Sequence, residues 1–340
     1  MTANNTTDIP TIAELGEQGV LDLILPILES GNPALGPGDD AGALKVAGGE
    51  VLVSVDTLVQ DQDFRTLWPS GCEHSAFDLG WKSIAQNVSD INAMGAEPTG
   101  AVISLSMPAD TSVTWVSQFA EGVAAAVKGL GAQNMSIVGG DLGRSAEISV
   151  TTTVFGEAAS GKVLRSTAQP AQQLALAGRV GMAAAGLDVL EDPRPAAAWS
   201  RSVRRLAQAQ FRPMPPLESG PRAAAAGASA MLDLSDGLVR DASRLAKASG
   251  VDLVLDAQAL QGFTHALRPA ASYLGIDPMQ WVLHGGEDFA LLAAFPLGAQ
   301  IPEEFTVIGE VKKQSGRRPG VFLNGKALGN HRGFDHFDKA

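Results

Sequence analysis

The sequence predicts a mixed α/β (α+β) protein built as two domains. Three observations carry this expectation. The chain has 340 residues, and globular chains average roughly 150 residues per domain. Strand-like and helix-like runs alternate along it. Apolar residues make up 45% and charged residues 18%, the balance of a folded globular chain rather than a disordered one.

Residues 11–30 read as mainly helical, with Ile12, Leu15, Leu21, Ile24, Leu25 and Leu28 near helical spacing. Gly16, Gly19 and Pro26 divide this run into two short pieces. A glycine- and proline-rich loop from Gly31 to Asp40 follows. Residues 51–58 then alternate as a strand, with Val51, Val53 and Val55 on one face and Ser54 and Asp56 on the other. Residues 76–94 predict a helix whose apolar stripe is Trp81, Ile84, Val88 and Ile91 and whose polar stripe is Ser83, Asn87 and Asp90. A strand over 100–107, a helix over about 112–130 and a strand over 136–138 lead into Gly139-Gly140-Asp141. A strand over 148–155 closes a first domain, 1–158.

The second domain, 159–340, opens with a strand over 173–177 and a glycine-punctuated helix from about 179. Prolines at 193, 195, 213, 215, 216 and 221 make 192–222 largely irregular, with a short helix near 198–209. A strand over 231–234 runs into Ser235-Asp236-Gly237-Leu238, which opens a helix. Later strands are expected at 252–255, 289–295 and 306–311.

The net charge of −12 argues against a uniformly basic nucleic-acid-binding surface while leaving room for a local patch, and no nucleic-acid partner is expected. A single cysteine, Cys72, excludes an internal disulfide and any multi-cysteine metal site. The N-terminus lacks a basic-then-apolar leader, and no run approaches the roughly 18 apolar residues of a membrane helix. A cytoplasmic protein with no membrane partner is the expectation.

Chemistry concentrates in aspartates. Asp39 and Asp40 sit in a glycine loop, and Asp90 lies beside Asn87 on a helix. Asp141 follows two glycines, and Asp233 and Asp236 flank a strand-to-helix turn. Aspartate is disfavoured inside strands, so Asp56 and Asp233 need a reason. Singly, each serves as a cap or turn residue. Jointly, converging carboxylates must protonate or bind cations. Mg²⁺ is the simplest partner, because it shares carboxylates with substrate phosphates. Gly139-Gly140 and the helix start near Gly237 offer backbone N–H groups to an anion.

Several decoys fall away. Gly156 to Val163 matches a phosphate-loop pattern, but Val163 supplies no hydroxyl and no helix start follows. Gly178-Arg179-Val180-Gly181 lacks the start of a dinucleotide fingerprint. The histidines at 74, 265, 284, 331 and 336 have no zinc-binding spacing. No nucleophile elbow of the serine hydrolases appears.

Taken in order, Gly38-Asp39-Asp40-Ala41, Ser54-Val55-Asp56-Thr57-Leu58-Val59, Asn87 to Ala96, Gly139-Gly140-Asp141, Arg165-Ser166, Asp233 to Leu238, Gly285 to Asp288 and Gly333-Phe334-Asp335-His336-Phe337 resemble the thiamine-monophosphate kinases, a branch of the aminoimidazole-ribonucleotide-synthetase-like superfamily. The resemblance spans nearly the whole chain. It implies ATP-dependent, in-line phosphorylation of thiamine monophosphate to thiamine diphosphate. It also implies two α/β domains, and a homodimer whose N-terminal sheets join into a barrel. The N-terminal domain then binds ATP and Mg²⁺ and dimerises, and the C-terminal domain completes the active site. Carried over by position, several Mg²⁺ ions fall to Asp39, Ser54, Val55, Asp56, Asp90, Asp141, Asp233 and Asp236. Nucleotide contacts fall to Gly140, Asp141, Arg165 and Ser235, with Asp141 and Arg165 as the catalytic pair. Substrate contacts fall to Asp63, Glu287 and Phe334, with Phe334 stacking on the cationic thiazolium and Glu287 complementing its charge.

One departure stands out. The family carries histidine where this chain has Asp63, in Asp56 to Phe64. Either the loop has drifted, or acceptor handling differs, because loss of a donor at a polar site alters specificity. Two other readings compete: a related ATP-using enzyme with a different acceptor, and a catalytically silent dimeric binding module. A selenium-type synthetase would need a reactive cysteine near the N-terminus, and none precedes Cys72.

Overall fold

The structure is a computed structural model that describes residues 39–316 and 318–329, with Gly19, Asp22, Ala34 and Leu35. The expected helix over 11–30, apart from Gly19 and Asp22, and the closing Gly333 to Phe337 with Phe334 lie outside the described residues.

The first sheet contains β1 (Gly42–Val46), β2 (Gly49–Val59), β3 (Glu97–Met107), β4 (Ser136–Arg144) and β5 (Ser149–Glu157), in the order β1-β2-β5-β3-β4. Its pairs are antiparallel except β3–β4, which is parallel. One face carries α1 (Ala76–Ala93), and α2 (Val113–Gly129) packs on α1. A capping box starts α1: the Ser75 side chain accepts from the Asp78 N–H, and the Asp78 carboxylate accepts from the Ser75 N–H. The apolar stripe is buried as expected, with Ile84, Val88 and Ile91 inaccessible. The polar stripe is buried too, at Ser83 and Asn87. This helix has no solvated face there, because its polar side meets β2 and the second half of the chain.

Two glycines allow α1 and α2 to approach this closely. A Cβ at Gly122 would lie 2.0 Å from the Phe77 carbonyl oxygen, and one at Gly80 would lie 2.2 Å from that of Phe119. Backbone on both sides leaves nothing to yield. Gly122→Val is therefore expected to lower stability by about 3 kcal/mol, read as a reduced urea midpoint. An unchanged midpoint would show that the helices separate freely.

The second sheet contains β6 (Gln173–Ala177), β7 (Ala230–Leu234), β8 (Val251–Leu255), β9 (Ala290–Phe295), β10 (Phe305–Lys313), β11 (Val321–Leu323) and β12 (Lys326–Leu328). Their order is β12-β11-β8-β10-β6-β9-β7. Around it lie α3 (Met182–Glu191), α4 (Arg201–Phe211), α5 (Ser219–Ala225), α6 (Leu238–Ser249), α7 (Ala257–Thr264), α8 (Arg268–Leu274) and α9 (Pro278–His284). A core of Leu174, Leu176, Leu206, Leu232, Leu253 and Leu292 fills the space between sheet and helices. The edge strand β7 meets α1, where the Ser89 hydroxyl donates to Asp233 at 2.7 Å. Asn92 Oδ1 accepts from the Gly220 N–H at 2.8 Å nearby. One helix thus ties both halves together. No helix among the described residues is long and apolar enough to cross a membrane.

Two sequence expectations need correction. The strand expected to end at 138 continues to Arg144, so Gly139 and Gly140 are ladder residues rather than a loop of free N–H groups. A Cβ at Gly140 would lie 2.0 Å from the Ile103 carbonyl oxygen, which explains its glycine by close strand approach. The proline-rich stretch also holds α5, because Pro221 occupies its first turn, where no N–H is required.

Candidate active site

Four segments converge between the two halves. The loop before β1 supplies Asp40, α1 supplies Asp90, and the end of β7 supplies Asp233. Carboxylate oxygens of these three lie within 4.8 Å of one another. Asp56 on β2 is close enough to repel both Asp90 and Asp233. Its backbone N–H donates to Asn87 Oδ1 at 3.0 Å, which locks β2 to α1. Ser54 donates to Asp90 and Ser89 to Asp233, so each acid is oriented by a hydroxyl.

These carboxyls are hard to ionise. Burial, then repulsion from Asp56, Asp233 and Asp40, holds Asp90 well above the usual carboxylate range against the Ser54 hydrogen bond. Burial does the same to Asp40, opposed by Arg165. Burial pushes Asp233 up to about 6, eased by the Ser89 hydrogen bond. Asp40 Oδ2 is buried with no hydrogen-bond partner among the described residues. A cluster of oxygen ligands with an orphaned carboxylate oxygen fits a hard divalent cation such as Mg²⁺.

The cluster borders a cavity of about 490 Å³ lined by Asp56, Asp90, Ser235, Asp236, Glu287 and Asp63, among others. Two glycine turns build its far wall. A Cβ at Gly286 would lie 2.4 Å from the Ser235 carbonyl oxygen, and one at Gly237 would lie 2.7 Å from that of His284. The Glu287 N–H donates to that Ser235 oxygen at 2.8 Å. Asp288, buried and pushed up to about 7 by that burial, accepts from the N–H of Ala183 at the start of α3. Asp241 in α6 accepts from the N–H of Asp236 at 2.9 Å and of Gly237 at 3.1 Å, fixing the other turn.

The expected residues separate into groups. Asp56, Asp90, Asp233, Asp236, Ser54, Ser235, Asp63 and Glu287 reach the cavity or its cluster. Asp40 takes the place expected of Asp39, whose two oxygens accept from the Arg165 N–H at 3.0 Å and Nε at 3.1 Å. Arg165 also pairs with Asp40. It braces the acidic loop and is not among the cavity-lining residues, whereas Arg65 and Arg244 are. Val55 points its side chain to the open face of the sheet. Asp141 is not brought to the cluster. It pairs across β3 with Ser104, in the row of Thr151 and Thr57. Asp56 shares the next row with Thr152, Ile103 and Gly140, and adjacent rows face opposite ways.

Sequence reasoning missed Lys82, Gln210, Asp241, Arg65 and Arg244. Their signals were weak: single polar residues in helices or loops, meaningful only once packed. The Asp63 carboxylate accepts from the Val59 N–H at 2.7 Å, closing its own turn. Lys162 of the rejected phosphate-loop pattern pairs with Glu50, far from this chemistry in role.

Residues 38–158 match the family described as AIR synthase related protein, N-terminal domain. The thiamine-monophosphate kinase of Mycobacterium tuberculosis (strain ATCC 25618 / H37Rv) is 38% identical over 336 residues, covering 97% of this chain and 94% of the relative. The chain belongs to the thiamine-monophosphate kinase family. The Corynebacterium glutamicum thiamine-monophosphate kinase is 34% identical over 90% of this chain and 89% of its own. A solved structure, AaThiL complexed with AMPPCP and TMP, superimposes with a TM-score of 0.84 at 29% identity, covering 97% of this chain and 100% of that one. The two-sheet architecture of this chain is therefore that of a thiamine-monophosphate kinase, and the acidic cavity lies where its halves meet.

Proposed function

We propose that the chain transfers the γ-phosphoryl group of ATP to thiamine monophosphate, giving thiamine diphosphate and ADP. The observation that carries this is the buried Asp40, Asp90 and Asp233 cluster opening on a cavity between the halves. AMPPCP is an ATP analogue, and a relative of the same fold was solved with it and TMP together.

The acceptor is already a phosphate monoester, largely ionised near neutrality because its second pKa is about 6. No strong general base is required to make the nucleophile. The obstacle is bringing several anions together. Asp40, Asp56, Asp90, Asp233 and Asp236 would hold Mg²⁺, which would supply neutralisation of phosphate charge. Arg165 braces the loop through Asp39 and holds Asp40 at the cluster, and Ser235 borders the nucleotide side. Glu287 and Asp63 border the acceptor side, and Phe334 is assigned the thiazolium by family resemblance. In this reading, the work of residues 1–158 is nucleotide and metal binding, and 159–340 completes the pocket.

The test is mass detection of thiamine diphosphate from the protein with ATP, Mg²⁺ and thiamine monophosphate. No product there, with ADP release on another phosphorylated acceptor, would overturn the acceptor assignment. Absence of Mg²⁺-dependent ATP binding would favour a silent binding module.

A homodimer through the first sheet belongs to the same reading. Leu44, Val46, Val55, Ile137, Val138 and Leu142 are exposed apolar side chains, all on β1, β2 and β4. Leu44, Val46 and Val55 lie on the open face of the sheet, while Ile137 and Leu142 project from the other side of the edge strand β4, so an apolar face and an apolar edge are both offered to a second copy of this sheet. Leu142→Glu is expected to shift the protein to monomer in sedimentation velocity. An unshifted dimer would move the interface elsewhere.

A further inference from the structure

Lys82 lies within α1 with its side chain 1% exposed. Lysine is rarely buried so fully unless its charge is met. Its Nζ lies 2.6 Å from Glu287 Oε1, in the other half of the chain, and donates to the Asp63 carbonyl oxygen at 3.4 Å. The second oxygen of Glu287 accepts from Gln210 Nε2 on α4. The Glu287 backbone sits at φ +64°, a conformation that needs support from its surroundings. Glu287 and Asp63 line the cavity, and Lys82 does not. Its ammonium therefore influences the cavity through those two residues.

We propose that Lys82 is a positioning residue for acceptor recognition, resting on the thiamine-monophosphate reading above. Its ammonium orients and charge-balances Glu287, so that this carboxylate meets the acceptor as a fixed hydrogen-bond acceptor rather than as a lone anion. The cavity wall already carries Asp56, Asp63, Asp90 and Asp236. An uncompensated Glu287 would add to the repulsion of a phosphorylated acceptor. Pairing cancels that charge and keeps the directional lone pairs. A polar group held in one geometry discriminates strongly, since a mismatched ligand leaves it unpaired. The same ammonium couples Glu287 to the Asp63 turn, so both acceptor-side positions share one anchor.

The experiment is steady-state kinetics of the full chain with ATP and thiamine monophosphate varied separately, for wild type, Lys82→Met, Glu287→Gln and the double variant. Lys82→Met is expected to raise KM for thiamine monophosphate about tenfold while KM for ATP stays within about twofold. The double variant is expected to exceed Glu287→Gln by no more than about twofold, because both act through one carboxylate. Equal rises in both KM values, an unchanged acceptor KM, or full additivity would overturn the proposal. If Lys82→Met does not fold, Gln210→Met removes the other donor to Glu287 and is read by the same criteria. Wild type that makes no thiamine diphosphate overturns the functional reading and this proposal with it. Wild-type turnover without the acceptor-specific shift overturns this proposal alone.

Discussion

Asp90→Asn is expected to lower thiamine diphosphate formation by about 10²–10³-fold while raising the melting temperature of the metal-free protein. Asp90 belongs to the carboxylate cluster and also lines the cavity. An amide keeps the shape and can still accept from Ser54. It cannot supply a negative charge to a divalent cation, so charge neutralisation of the meeting phosphates fails. Stability moves the other way. Burial and the neighbouring Asp56, Asp233 and Asp40 make an ionised Asp90 unfavourable without a cation. Removing that charge relieves the strain on the cluster, and a gain of about 1 kcal/mol corresponds to a rise of about 2 °C in a chain of this size. Turnover assays and thermal melts in a chelator read the two effects. Retained turnover at saturating Mg²⁺ would take Asp90 out of the mechanism. A lowered melting temperature would mean that the acid is structural.

The fold was legible wherever local pattern and tertiary demand agree. The strand at Gln173–Ala177 appears at its expected bounds, because the four consecutive apolar or small residues Leu174 to Ala177 bury on both faces. Asp56 and Asp233 were legible as anomalies, since a strand tolerates an acid only for a purpose. What failed depended on distant neighbours. Asn87 read only as part of a polar helical stripe and Lys82 carried no signal of its own, and it takes β2 over Asn87 and the second half of the chain over Lys82 to make both interior. Choosing between Asp39 and Asp40 depends on where Arg165 reaches, 125 residues away from Asp40. Gly139 and Gly140 looked like a loop because glycine is common in turns. For Gly140 the cause is the close approach of β4 to β3, which one sequence segment cannot announce.

Mg²⁺ is expected to stabilise the protein far more at about pH 8 than at about pH 5. The sign follows from the direction of the shifts. Burial raises Asp233 from the ordinary 3.8 to about 6 in the fold. As pH rises through that window, the unfolded chain loses its proton first and the native state holds on to it. Stability of the metal-free protein therefore falls between those values and stays lowered above the higher one. A rise from 3.8 to about 6 corresponds to at most about 3 kcal/mol, and Asp40 and Asp90 act in the same direction. A cation held by the ionised cluster reverses that penalty, so its stabilising effect grows as the penalty grows. Below about pH 5 protons compete with it and the gain shrinks. Thermal melts with and without Mg²⁺ across this range give the trend. Titration calorimetry in two buffers of different ionisation enthalpy counts the protons released near neutrality. A gain independent of pH, with no proton release, would place the cation outside this cluster and leave its raised acids without a function.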